Sequence, residues 1–153
     1  MTDYTLLCEQ LRALGGEERH WLPLLSNASA LLYETLPELN WAGFYITEGG
    51  SLLLGPFQGK IACIRIPLGR GVCGTAAARD ETQRVADVHA FPGHIACDGA
   101  SNSEIVIPLH RDGAVCAVLD IDSPQPARFT EEDQRGLERF ASALEELIEW
   151  KGL

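Results

Sequence analysis

Apolar positions in the first third of the chain recur at intervals of three and four. Leu6, Leu7, Leu11 and Leu14 share that spacing and Gly15-Gly16 ends it, so the pattern predicts an amphipathic helix. A second stretch, from about Trp21 to Leu36, sets Leu24, Leu25, Ala28, Leu31 and Leu32 along one side and closes at Pro37. The middle then switches to short extended runs. Trp41 to Thr47 is aromatic and β-branched, Glu48-Gly49-Gly50 is a turn signal, and Leu52 to Phe57 completes a predicted hairpin. Ile61 to Pro67 reads as a third strand, with Ile61, Cys63 and Arg65 facing one way and Ala62, Ile64 and Ile66 the other. After Gly69-Arg70-Gly71, the small residues from Val72 to Ala78 suit a compact helical turn.

Asp87 to Asn102 (DVHAFPGHIACDGASN) shows no period and reads as an irregular loop. Loops of that length inside compact domains tend to be functional or disordered. Ser103 to Leu109 and Ala114 to Ile121 are strong strands joined at Asp112-Gly113, and Arg84 to Ala86 offers a short sixth. The tail opens at Thr130-Glu131-Glu132-Asp133, a capping-box-like start with acids at the positive end of the helix dipole. Leu137, Phe140, Ala141, Leu144, Leu147 and Ile148 continue it at helical spacing. This order predicts an α+β fold: an antiparallel sheet of five to six strands with N- and C-terminal helices packed on it.

Composition narrows the class. Apolar residues make up 46% and charged residues 22% of 153 residues, enough apolar surface for one core and one domain over residues 1–153. Twenty-two acids against twelve basic residues give a formal net charge of −10, which repels phosphate backbones and anionic lipid, so neither nucleic acid nor membrane is an expected partner. The first residues carry acids and no basic stretch of the kind that opens a signal peptide, so a cytoplasmic location is expected.

Five cysteines, an odd number, argue against a structural disulfide framework. Cys8 in a helix and Cys116 in an apolar strand read as core residues. Cys97 stands apart in a polar, glycine-containing loop beside His94 and Asp98. Cys63 and Cys73 are intermediate, and a helix N-terminus at Cys73 would favour its thiolate. Cys63, Cys73, His94 and Cys97 could make a zinc set, but the paired knuckle spacing is missing, and no metal or cofactor is expected. Asp120 and Asp122 are two apart on a strand, on one face and roughly 7 Å apart, and Glu104 opens the preceding strand. Taken alone these read as solvated strand-end acids; acids that share a pocket instead repel one another, and one or more then keeps its proton near neutral pH. Trp41 and Tyr45 also share a face, with Gly43 between them; singly they read as core residues, and as a pair beside glycine they can also line a pocket for a methyl group or a cation.

The segments WAGFYI, GPFQGKIACIRIPLGRGVCGTAA, DVHAFPGHIACDGASNSEIVIPL and AVLDIDSP closely resemble the free methionine-(R)-sulfoxide reductases, single-GAF-domain enzymes acting on the free amino acid. The resemblance runs from about Asn40 to Phe129. It implies a thiol-dependent oxidoreductase of the oxidative-stress response, with Cys97 as catalytic thiol, Cys63 as main resolving thiol and Cys73 as a further cysteine able to pair with Cys97. It also implies that Trp41 and Tyr45 bind the substrate methyl group, that Glu104, Asp120 and Asp122 surround the sulfoxide and ammonium, and that thioredoxin is the reductant. The alternative is a GAF module that senses a small molecule. Sensors are usually fused to an output domain, which this chain, ending in its own helix, is not expected to carry. Amphipathic terminal helices leave room for a homodimer.

Overall fold

A computed structural model describes residues 1–94 and 99–152. Helices α1 (Tyr4–Gly15) and α2 (Trp21–Thr35) lead into strands β1 (Trp41–Glu48), β2 (Ser51–Gly59) and β3 (Arg65–Pro67). Helix α3 (Gly71–Arg79) and strand β4 (Gln83–Val85) follow, then a short 3-10 turn at Val88–Ala90. Strands β5 (Ser103–Arg111) and β6 (Ala114–Ser123) precede the last helix, α4 (Glu131–Leu147). The strands form one six-stranded sheet in the order β3-β2-β1-β6-β5-β4, with every neighbouring pair antiparallel. The α+β fold expected from the sequence is the one observed.

The two sheet faces have different coverings because side chains alternate along each strand. Ala42, Phe44, Ile46, Ile105, Ile107, Leu119 and Ile121 share one core with Leu7, Leu11, Leu25, Leu32, Phe140 and Leu144 of α1, α2 and α4. Fully burying each large side chain there contributes about 1.5–3 kcal/mol. The opposite face carries Trp41, Tyr45, Val106 and Val118, and α3 covers it with Val72, Cys73, Ala76 and Ala77. Among the described helices only the nine-residue α3 shields this second face, so it is the face on which a cleft can open.

The starts of α1, α2 and α4 carry side-chain caps, whereas α3 begins after Arg70 without one. Asp3 accepts a hydrogen bond from the Leu6 amide at 3.0 Å, and His20 Nδ1 accepts from Leu22 at 3.1 Å. At α4 the capping box is complete: the Asp133 amide donates to Thr130 Oγ1 at 3.1 Å and the Thr130 amide to Asp133 Oδ2 at 2.9 Å. Asp133 also accepts from Tyr4 Oη at 2.6 Å and pairs with Arg128 at 3.2 Å. Burial alone would raise its pKa, but these hydrogen bonds and the guanidinium hold its carboxyl below the ordinary range.

Three expectations change. The strand read over Ile61 to Pro67 shrinks to Arg65–Pro67. Gly59, at φ +132°, turns the chain off β2, and Lys60 to Ile64 leave the sheet apart from one hydrogen bond from the Leu54 amide to Ile64 O. Ile61 and Ile64 therefore face solvent instead of alternating between faces. On α1 the buried stripe is Leu7 and Leu11, with Leu6 and Leu14 half exposed. Gly43 is needed by the sheet: a Cβ there would lie 2.3 Å from Phe57 Cβ and 2.7 Å from its Cα, at the β1–β2 irregularity between Gly43 and Tyr45.

Two predictions follow from the helical layer. A Cβ on Gly136 would meet the Tyr4 ring at 2.2 Å, so Gly136→Ala should destabilise by about 1–3 kcal/mol in urea melts, outweighing its better helix propensity. His110 ties three elements: Nε2 to Asp80 at the end of α3 (2.5 Å), Nδ1 to Glu145 of α4 (2.7 Å). Burial disfavours the imidazolium, yet the hydrogen bonds to Asp80 and Glu145 win and raise its pKa. A His pKa raised by folding stabilises at acid pH, and that contribution disappears as pH rises through the folded value. His110→Gln should therefore lower the urea midpoint at pH 5.5 more than at pH 9.

Candidate active site

The site begins with strand register. Glu104 of β5 lies opposite Asp122 of β6, and Val106 opposite Asp120. Across the other edge of β6, Trp41 lies opposite Asp122 and Gly43 opposite Asp120. Because side chains directly opposite share a face, the three acids and both aromatics are brought onto the side covered by α3. A one-residue slip on any of these strands would send its members into the opposite core.

The aromatics pack and also tether. Trp41 stacks on Tyr45 at 5.9 Å between ring centroids and on Phe57 at 5.1 Å. Trp41 Nε1 donates to Lys60 O at 3.1 Å, and Tyr45 Oη donates to Cys63 O at 3.1 Å. The polar tips of the two rings thus hold the irregular segment that carries Cys63 across the sheet. Burial foremost, then the negative charge of Asp120 and its neighbours, pushes the Tyr45 hydroxyl upward, so it stays a neutral donor.

Glu104 and Asp120 are 7% and 5% exposed. Burial, followed by repulsion from Asp120 and Asp122, raises the Glu104 pKa well above the ordinary carboxylate value. Asp120 is raised by burial too, against the opposing effect of hydrogen bonds with Glu104, Cys73 and Asp122. The acids share protons, so the site holds at least one carboxylic acid beside carboxylate at neutral pH. Among the described residues Asp120 Oδ1 has no hydrogen-bond partner, although it is buried and its residue lines the pocket.

Cys73 sits in the first turn of α3 and is 5% exposed. The helix N-terminus was expected to favour its thiolate, and the structure reverses this: burial, then Asp120, Glu104 and Asp122, push its pKa well above that of a free thiol. Cys116 is buried and likewise pushed up, to about 12, by burial and then Glu145. Cys8 is half-buried, less enclosed than expected. Cys8, Cys73 and Cys116 are free thiols, whereas Cys63, half-buried, is held in a disulfide. Cys97 lies outside the described residues.

A pocket joins these parts. Trp41, Tyr45, Cys73, Glu104, Asp120 and Asp122 line it, and Ile61 and Ala62 beside Cys63 form part of its mouth. His94 and Arg70 line it as well. Neither was singled out as a pocket residue: His94 figured as a neighbour of Cys97 and in a zinc set, and Arg70 only in the Gly-Arg-Gly run before the predicted helical turn. The signal available was position, since both adjoin segments that already held candidate cysteines. Burial and then His89 lower the His94 pKa against the pull of Asp120, leaving a neutral imidazole. Among the described residues, Cys73 Sγ and carboxylate oxygens of Glu104 and Asp120 lie within 4.8 Å of one another, a donor set that could hold a cation. No helix among them is long and apolar enough to cross a membrane.

An acidic pocket roofed by a short helix on one face of a six-stranded antiparallel sheet, with three helices behind, is the architecture of GAF domains, and a GAF domain model matches residues 25–149. A relative from Escherichia coli (strain K12), named free methionine-R-sulfoxide reductase, is 57% identical over 145 residues, covering 95% of this chain and 88% of its own. The chain belongs to the free methionine-R-sulfoxide reductases, an oxidoreductase family. Among solved structures, the reduced form of the Staphylococcus aureus enzyme superposes with a TM-score of 0.94 at 50% identity, covering 97% of both chains. The Neisseria meningitidis enzyme in complex with its substrate superposes with a TM-score of 0.91 at 43% identity, covering 95% of this chain and 90% of that one.

A carboxyl whose pKa is raised by folding stabilises the fold at low pH and loses that contribution as pH rises from the ordinary carboxylate range through the folded value. Glu104→Gln should therefore raise the urea midpoint at pH 8, and the gain should shrink toward pH 5. A midpoint that falls equally at both pH values would show that Glu104 is not held protonated by its neighbours.

Proposed function

We propose that this protein reduces free L-methionine-(R)-sulfoxide to methionine with Cys97 as nucleophile and Cys63 as resolving thiol, and that thioredoxin restores both thiols. The observation that carries the reading is the convergence of Glu104, Asp120 and Asp122 with Trp41 and Tyr45 on one pocket, with a disulfide-bonded Cys63 beside its mouth. The relatives' names and their substrate complex support the same substrate.

Each group has a chemical task. Sulfoxide oxygen is a poor leaving group until protonated, and a carboxylic acid kept neutral at pH 7, Glu104 with Asp122 beside it, supplies that proton. The Cys97 thiolate attacks the protonated sulfoxide at sulfur and a sulfur–sulfur bond forms. The hydroxyl oxygen then passes to Cys97 Sγ as the bonds from substrate sulfur to oxygen and to Cys97 break. Methionine departs with the electron pair on its sulfur, and Cys97 is left as a sulfenic acid. The Cys63 thiol then displaces water from it and forms a disulfide. Cys63 in a disulfide, with Cys8, Cys73 and Cys116 free, supports Cys63 as the resolving partner over Cys73. Cys73 remains a buried thiol against the acids.

A free amino acid also needs recognition at both of its ionised groups. The acid cluster suits the ammonium, which an amide nitrogen within a protein would not present. Arg70 and the positive end of α3 line the same pocket and suit the carboxylate. The Trp41 and Tyr45 faces suit the S-methyl group.

The reduced protein, given methionine-R,S-sulfoxide with thioredoxin, its reductase and NADPH, should consume only the free R epimer and leave a peptide-bound sulfoxide intact. Cys97→Ser should abolish turnover even with dithiothreitol. Cys63→Ser should keep a single turnover and lose thioredoxin-linked cycling, with partial rescue by dithiothreitol. Glu104→Gln or Asp122→Asn should slow chemistry by roughly 10²–10⁴-fold. Full activity of Cys97→Ser, or no consumption by a demonstrably reduced protein, would overturn the reading.

A further inference from the structure

The segment that carries Cys63 has an unusual surface for this chain. Ile61 and Ile64, which flank the cysteine, are 89% and 71% exposed, and apart from Met1 they are the most exposed large apolar residues described. Leu68, just beyond β3, is also exposed at 39%. The peptide between Gly59 and Arg65 has left the sheet, yet hydrogen bonds from Trp41 and Tyr45 to Lys60 O and Cys63 O hold it in place. Two isoleucines displayed to solvent on a fixed segment cost solvation.

Charge follows the same boundary. From Gly49 to Arg79 the sequence contains no Asp or Glu and four basic residues, Lys60, Arg65, Arg70 and Arg79, in a chain of formal net charge −10. Of these, Arg65 is paired with Glu48 at 3.0 Å. Lys60 stands next to Ile61 and is exposed. An apolar spot with Lys60 beside it, in a stretch of chain without acids on an otherwise acidic molecule, fits a partner with an apolar contact surface and an acidic edge.

We propose that Lys60, Ile61, Ile64 and Leu68 form the docking surface for the dithiol protein that reduces the Cys63 disulfide. The proposal rests on the reductase reading above and specifies where its reductant binds. The occupant follows from the chemistry of the cysteine this surface surrounds. A thiolate of the reductant attacks Cys63 Sγ, the enzyme disulfide breaks and its other sulfur leaves as thiolate. The reductant's second thiolate then attacks the resulting mixed disulfide and releases Cys63. Two electrons pass to the enzyme, two protons restore its thiols, and the reductant ends as a disulfide. A small dithiol reaches Cys63 without any surface contact, whereas a protein must rest on the residues beside it. That difference separates the two reductants experimentally.

Ile61 borders the substrate pocket and is left intact in the test. Ile64→Asp and Lys60→Glu should raise the KM for thioredoxin roughly tenfold each, with dithiothreitol-driven turnover of free methionine sulfoxide and its KM unchanged. Raising ionic strength should lower kcat/KM for thioredoxin in the wild type and do so less in Lys60→Glu. An unchanged KM for thioredoxin in Ile64→Asp overturns the proposal. An equal loss with dithiothreitol also overturns it, because the damage then lies in the site or the fold. A change in the sedimentation of the enzyme itself would assign the patch to contact between two copies, against the proposal. Absence of dithiothreitol-driven consumption in the wild type would instead refute the reductase reading on which it rests.

Discussion

Three carboxyl groups and a thiol cannot be buried together as anions, and the site is organised around that restriction. Glu104 and Asp120 are almost wholly removed from water, and Cys73 packs against them from α3. Losing hydration and facing like charge both favour the protonated forms. Shared protons then turn repulsion into hydrogen bonds among Glu104, Asp120, Asp122 and Cys73. The arrangement is the source of acid strength held in reserve at neutral pH, and it opposes stability when the pH rises. The rest of the fold has to hold it closed: α1, α2 and α4 fill the far side of the sheet, leaving the near side to the small residues of α3.

Division of labour between the cysteines follows from the same field. A thiol amid carboxyls is a poor nucleophile because its thiolate is suppressed, and Cys73 is in that position. Cys63, by contrast, is carried on a segment outside the sheet, half-buried and already in a disulfide. The aromatic pair links the two regions: Trp41 and Tyr45 line the acid pocket with their rings and hold the Cys63 segment with their polar tips. The pocket wall and the position of the Cys63 segment are thus coupled through two side chains. A substitution at either ring would disturb both.

Surface properties divide along the chain as well. The acidic majority of the molecule suits solubility, while Gly49 to Arg79 is basic and includes two solvent-facing isoleucines beside Cys63. Ile61 and Ile64 are turned to solvent and belong to neither buried cluster. They lie beside the one disulfide-bonded cysteine among the described residues.

Much of this was legible in the sequence. The three-four spacing of apolar residues located the terminal helices, the two-residue alternation placed Trp41 with Tyr45 and Asp120 with Asp122, and Thr130 with Asp133 announced the start of α4. Each depends on neighbours within a few positions, which is why local pattern suffices. The meeting of Glu104 with Asp122 and of Trp41 with Asp122 depends on register between strands distant in the chain. Burial likewise decided that Cys73 is a suppressed thiol, against the local rule for helix N-termini, because desolvation and three acids from other strands outweigh one helix dipole. The short β3 and the exposed Ile61 and Ile64 were hidden for a similar reason: their alternation looks like a strand, but the chain turns off the sheet at Gly59. Residue order determined which groups were available and which elements would carry them, whereas the packed sheet decided which groups share a dielectric, and hence which of them hold protons.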